Sequence, residues 1–291
     1  MRRSLVLRWL LAVALAGAAV VGFWQWRQPP SVLPAELTPL TRWLRALPPD
    51  QAQKWPGAVL ALTASGALAA QEGGHPSFAG SLHPRPRWGE DLARLRAAET
   101  WLLAATPQSL QTALVDHHLD YVITGEPDLR DAQFLPLDPS RADALPLALS
   151  RSELRHLQTL YGTATKDRPC VDQLQLVAAS DVIRDVGGRH LPAALLYRRV
   201  PGARIQLHNR VPGVPLRVVT TRRIGDRVFT FVCDGRVDAN GTGEVRFPYP
   251  STPTGSIGVD GTIMLWTALQ KAGEPLEISA EAVERGESVN D

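Results

Sequence analysis

Residues Leu5 to Trp26 read LVLRWLLAVALAGAAVVGFWQW, an apolar run broken only by Arg8 and Gln25. The segment from Trp9 to Trp26 is just long enough to cross a bilayer, which takes about 20 apolar residues with a lower limit near 17. Arg2, Arg3 and Arg8 lie on its N-terminal side. The positive-inside bias keeps that end in the cytoplasm and puts residues 28–291 outside. Trp24, Trp26 and Arg27 close the run as an interfacial belt would. A cleavable signal peptide is the competing reading, because Ala14-Leu15-Ala16 has the small-x-small form of a cleavage site. The run continues through Val20, Val21 and Phe23, which favours an uncleaved anchor. Either way the rest of the chain is expected outside the cytoplasm; left uncleaved, the run holds it at the cell membrane by a single span.

About 260 of the 291 residues follow this segment, enough for one large or two ordinary domains with their own cores. With 31 basic and 29 acidic side chains the net charge is +2. Such a balance lacks the basic stripe of a nucleic-acid binder. The two cysteines are Cys170 and Cys233. Outside the cytoplasm they can form a disulfide; two free buried thiols are the other reading.

Gln28 to Leu37 is a Pro-rich spacer. An amphipathic helix is predicted over Pro39 to Leu47, with Thr38 as its cap and Pro39 at its first position. Gly57 to Leu62 reads as a buried strand, Thr63-Ala64-Ser65-Gly66 as a small-residue turn, and Gly73 to Arg87 as a Gly/Pro-rich loop. Helices are expected at Asp91 to Ala105 and Pro107 to His117, then a strand at Asp120 to Thr124 ended by Gly125. Strand, helix pair and strand form an α/β unit, which favours parallel pairing. Ser152 to Leu160 reads as a helix capped by Ser150 or Ser152, and Leu174 to Ala178 as a strand. From residue 193 short strands dominate, with turns at Ile224-Gly225-Asp226, Asn240-Gly241 and Thr254-Gly255, the pattern of a β-sandwich. The expected organisation is α+β overall: a membrane anchor over 1–27, a mixed α/β core domain over 28–192, a β-sandwich-like domain over 193–280 and a flexible acidic tail over 281–291.

Chemistry-bearing motifs are sparse. Asp116, His117, His118 and Asp120 cluster in sequence, but metal ligands on one helix face prefer the i, i+4 spacing of H-E-x-x-H. Adjacent histidines on a helix point roughly 100° apart, so the cluster reads as a polar helix end. His75 and His83 flank the Gly/Pro-rich loop. G-x-S-x-G, S-x-x-K and C-x-x-C are all missing from the sequence. Gly255 to Gly261 is glycine-rich but precedes a strand, whereas phosphate-binding loops precede a helix N-terminus. Asn240-Gly241-Thr242 has the form of a glycosylation acceptor, although Asn-Gly between strands is first a hairpin turn.

In order along the chain, PLTRWLRAL, the strand ending near Thr63, HLDYVIT at 118–124, Leu160-Tyr161-Gly162, LQLVAAS at 174–180, LLYRRVPGA at 195–203 and the β region with Phe247-Pro248-Tyr249 form a recognisable series. The chain resembles the last transmembrane helix and C-terminal extracytoplasmic region of the oligosaccharyltransferase catalytic subunit, the single-subunit archaeal and bacterial type in particular. In that family the first strand runs into a Trp-Trp-Asp-Tyr-Gly motif that recognises the hydroxyl residue of the acceptor sequon. The matching segment is Leu62-Thr63-Ala64-Ser65-Gly66, in which only the glycine is kept. Ala64 and Ser65 offer neither indole nor carboxylate. The family's metal-binding acids lie in loops of a many-helix membrane domain, whereas this sequence has a single candidate span.

The resemblance therefore implies a chain that does not transfer a glycan alone, with no catalytic residue, metal or cofactor of its own. It implies a role in protein glycosylation or in binding an envelope peptide or glycan. A polytopic glycosyltransferase partner, making this one half of a split enzyme, is the alternative; a purely structural envelope module is the third. The expected groove follows the C-terminal end of a sheet strand, where α/β folds place ligands. Its candidate binding residues are Thr63, Ser65, Gly66, His75 and His83.

Overall fold

The structure is a computed structural model that describes residues 33–47, 57–61, 64–78, 90–103, 107–125, 152–186, 188–251, 261–267 and 273–290. The Leu5–Trp26 run, Thr63, His83 and the Thr254-Gly255 turn lie outside them. Among the described residues no helix is long and apolar enough to cross a membrane.

A four-stranded sheet lies at the centre. Its order is β1 (Ala58–Leu60), β2 (Leu119–Gly125), β6 (Ala194–Arg199) and β3 (Leu174–Ala179). β1 and β2 pair in parallel, as the intervening helices require, while β2–β6 and β6–β3 are antiparallel. Predicted parallel pairing therefore holds for one ladder of this sheet. The short β4–β5 hairpin (Ile183–Val186, Arg189–Pro192) returns the chain so quickly that β6 must run against β3.

Both faces of this sheet are covered. On one, Leu40 and Leu44 of α1 (Thr38–Arg45) and Ala69 and Ala70 of α2 (Ala64–Glu72) meet Val59, Tyr121, Ile123, Ala178 and Leu196. The alternate residues Val122, Leu195 and Tyr197 face the other way, as the two-residue strand period demands. They meet Leu102 of α3 (Glu90–Leu102), Leu110 and Leu114 of α4 (Pro107–Asp116), and Leu154 and Leu157 of α5 (Glu153–Leu160). Ser152 caps α5, its Oγ accepting from the Arg155 amide at 3.1 Å.

The same core continues into the β region. β12 (Glu274–Leu276), β11 (Ile263–Thr267), β8 (Pro215–Ile224) and β9 (Arg227–Arg236) form an antiparallel sheet. Beside it lie β10 (Gly243–Phe247), β7 (Ala203–Leu207) and β13 (Ser288–Asn290). Ile205, Leu207, Val218, Phe231 and Phe247 pack between them. Tyr249 joins the two regions: its buried hydroxyl accepts from the Leu176 amide at 3.0 Å.

Four expectations change. β6 completes the central sheet although it lies beyond residue 193; Ala194–Leu195–Leu196–Tyr197 is buried on both faces, so it cannot be an outer sandwich strand. The segment from 281 is no frayed tail. Ser279 caps α6 (Ala280–Arg285), Gly286 ends it in the left-handed region at φ 69°, and β13 then pairs with β7. Thr38 lies inside α1 rather than capping it, because a 3-10 turn at Ala35–Leu37 runs straight into the helix. Finally, Ala64 to Gly66 form the first turn of α2, not a loop. Alanine-rich sequence favours helix enough to absorb the roughly 1 kcal/mol that Gly66 costs.

Candidate functional site

The sequence-predicted binding residues divide between the two ends of α2. Gly66 is buried in its first turn, just past the C-terminal end of β1, with the Ser65 backbone beside it. His75 follows the other end, its amide donating to the Ala70 carbonyl at 2.9 Å. Gly66 thus lies near the start of the helix, and His75 lies past its end, folded back onto Ala70.

His75 is held by backbone pairing. The Val59 amide donates to the Pro76 carbonyl at 2.8 Å, and the Phe78 amide to the Val59 carbonyl at 2.9 Å, so residues 76–78 flank β1 as a short added rung. The His75 ring lies edge-on to Tyr121 with centroids 4.9 Å apart, and Trp43 approaches Tyr121 at 6.2 Å. Burial lowers the His75 pKa, against the pull of the Gly57 carbonyl and of Asp120. Burial thus disfavours the charged imidazolium at this position. Burial also pushes Tyr121 up to about 12, with Arg198 opposing it.

Next to His75 a cleft of about 400 Å³ opens between α1 and the end of α2, lined by Leu44, Arg45, Leu47, Glu72, Gly73 and Gly74 as well. Arg45 closes the helix end by donating to the Glu72 carbonyl at 2.8 Å, where basic groups favour the helix dipole. Gly73 lets α1 approach, since a Cβ there would meet Leu44 Cβ at 2.7 Å. The cleft combines apolar walls with a guanidinium and a backbone-tethered imidazole. That equips it to hold a side chain.

The other predicted positions lie in a turn, a disulfide and backbone pairing. Asn240 is exposed in a turn where Asp238 Oδ1 accepts from the Asn240 and Thr242 amides at 2.8 and 2.9 Å. Cys170 and Cys233 are disulfide-bonded. The His118 carbonyl accepts from the Ala58 amide at 3.2 Å. Among the described residues no three His, Cys, Asp or Glu side chains converge as metal ligands would.

No family model matches the sequence, and no curated protein matches it. Solved structures do. Crystal structures of the Archaeoglobus fulgidus oligosaccharyltransferase superpose on 87% of this chain with a TM-score of 0.63 for the complex with Zn and sulfate. For the form tethered by a disulfide to an acceptor peptide containing the NVT sequon, the figures are 88% and 0.66. The chain is similar in fold to archaeal oligosaccharyltransferase. The resemblance to the C-terminal region of that enzyme, read from the sequence, holds. Identity is 11%, so the likeness is one of fold, and the chain spans 43–46% of the length of these enzyme chains. The same enzyme in complex with an inhibitory peptide and a dolichol-phosphate matches at a TM-score of 0.64.

Tyr121, Trp43 and Arg198 were not singled out by sequence. Tyr121 reads as an ordinary β-former in DYVIT and Arg198 as a surface residue in YRRV; only the ladder register places them side by side.

Proposed function

We propose that this chain is a membrane-anchored, extracytoplasmic binding module of oligosaccharyltransferase-like fold, acting in protein glycosylation or envelope assembly and not transferring a glycan alone. The observation that carries this reading is the fold likeness over 87–88% of the chain to enzymes it spans by less than half. The cystine fits an oxidising compartment. The loss of indole and carboxylate from residues 62–66 fits a module that no longer reads a sequon as the enzymes do. An envelope peptide or glycan is its ligand, and residues 5–26 are its anchor.

The share of the enzyme length that is covered also favours a second reading, in which a separate polytopic protein supplies the remainder. Native affinity purification from the source membrane in mild detergent, read by mass spectrometry, separates the two. A polytopic glycosyltransferase in stoichiometric yield, with transfer activity only in the mixture, supports the split enzyme. A single-component species that binds envelope peptide or glycan supports the module. Peptide binding that survives both Ser65→Trp and Gly66→Trp unchanged removes the β1–α2 corner as its site.

A further inference from the structure

The outer face of the β12–β11–β8–β9 sheet carries a row of side chains that crosses three strands. Trp266 on β11 lies opposite Arg217 on β8, and Arg217 opposite Asp234 on β9. Residues directly opposite in adjacent strands project to the same side. That side faces solvent, because their chain neighbours Leu265, Leu216 and Cys233 are buried in the core. All three residues of the row are exposed. Met264, Val219 and Val232 form the next row on this face and are half-buried, which gives the first row an apolar border.

Both ends of the row are held in place. A Cβ on Gly273 would stand 2.6 Å from Trp266 Cε2 and 2.8 Å from Nε1. The bare glycine backbone therefore lies against the indole, while 37% of the Trp266 surface stays exposed. Beside it, Arg217 Nε donates to Asp234 Oδ1 at 2.7 Å and Nη2 to Oδ2 at 3.0 Å. This bidentate fork fixes both groups, yet an exposed pair adds little to stability. It leaves the Arg217 Nη1 donors and the remaining lone pairs of the carboxylate for a ligand. Paired, the two charges cancel, so they suit a ligand without net charge. Hydroxyls both donate and accept, and match both members of the pair. The indole presents a flat face of negative potential to positively polarised C–H groups.

We propose that this row is a saccharide platform for a neutral, β-linked chain of pyranose rings with equatorial hydroxyls. Such rings carry C–H groups on their flat faces and hydroxyls at their rims. One ring stacks on Trp266, and the next accepts from Arg217 Nη1 and donates to Asp234. The row spans two interstrand spacings, about 10 Å, which is room for two rings. The choice of a glycan over a peptide rests on the binding-module reading above. The platform stands on elements other than the β1–α2 corner. A split enzyme recovered from the membrane leaves the platform standing, and failure of the titration below leaves the module with a peptide ligand.

The test is calorimetric titration of the full chain, in a detergent without a sugar headgroup, with cellotetraose, chitotetraose, maltotetraose and a peptide containing the NVT sequon. At least one of the two β-linked tetrasaccharides is expected to bind roughly tenfold more tightly than α-linked maltotetraose, with little change on adding NaCl. Trp266→Ala should weaken that binding about tenfold, and Trp266→Phe, which keeps a flat ring, much less. Gly273→Ala keeps the indole but displaces it, and should weaken binding about fivefold. Arg217→Met should do the same while keeping the melting temperature of the parent chain. Absence of binding by both β-linked chains overturns the proposal, as does unchanged affinity in Trp266→Ala. Trp266-dependent binding of the peptide alone also overturns it, and makes the face a peptide site.

Discussion

Cys170 and Cys233 are bonded with their Cα atoms 5.2 Å apart, tying the loop after α5 to strand β9. The same loop is sewn to β9 by the Ala164 amide donating to the Val232 carbonyl at 2.8 Å and the Val232 amide donating to Thr163 Oγ1 at 2.6 Å. The bridge closes a loop of sequence separation 63, for which loop-closure entropy gives about 4 kcal/mol. Cys233→Ala, or reduction with dithiothreitol, should lower the melting temperature by roughly 10 °C. Alkylation of the unfolded, unreduced protein followed by mass spectrometry should find no modified cysteine.

Glu153 is fully buried in the first turn of α5, and Arg168 reaches it at 2.6 Å while also donating to the Ser152 carbonyl at 2.9 Å. His156 Nδ1 lies 3.4 Å from the other carboxylate oxygen, and its Nε2 is 2.7 Å from the Thr163 carbonyl. Removing the charge from one partner strands the other. Glu153→Gln is expected to cost about 3 kcal/mol in urea denaturation. Arg168→Met should cost as much, and the double variant less than the sum of the two.

Asp120 joins three strands at one end of the central sheet. Its Oδ2 accepts from the Gly57 amide at 2.8 Å and its Oδ1 from Arg199 at 2.7 Å. A Cβ on residue 57 would fall 2.4 Å from Asp120 Oδ2 and 2.5 Å from the His118 carbonyl oxygen. Gly57→Ala should therefore destabilise the chain by about 2 kcal/mol, and Asp120→Ala by a similar amount through lost charge-assisted hydrogen bonds. Amide hydrogen exchange should rise first in β1, the shortest strand of that sheet.

Local signals carried much of the fold. The Pro107 helix start, the Ser152 cap and the Asn240-Gly241 turn each depend on residues next to one another, and the chain obeys them. With two cysteines in the chain, the count left Cys233 as the one possible intrachain partner of Cys170, and the structure decides between a bond and two free thiols. Long-range pairing was not legible: nothing in Ala194–Arg199 says that β2 and β3, far apart in sequence, close around it. Ser279, Gly286 and the strand after them had standard cap chemistry, but the acidic composition around them suggested solvent. The site suffered most. Tyr121 and Arg198 are distant in sequence and adjacent in register.

His75 gives the structure a pH dependence whose sign is fixed by burial. Its folded pKa lies below the ordinary value of 6.5 because desolvation outweighs the Gly57 carbonyl and Asp120. The folded state therefore holds fewer protons than the unfolded chain once pH falls below about 6.5. Stability from this group is complete above that value and declines as pH drops toward the folded pKa, by at most about 1.4 kcal/mol per pH unit. Other histidines and the carboxylates titrate too, so the informative quantity is a difference. His75→Phe keeps an aromatic ring against Tyr121 and removes the titration. Urea unfolding at pH 8.0 and pH 5.0 should show a larger loss for the parent chain than for His75→Phe. An equal loss in both would mean that His75 takes up its proton as freely when folded as when unfolded, and would overturn the prediction.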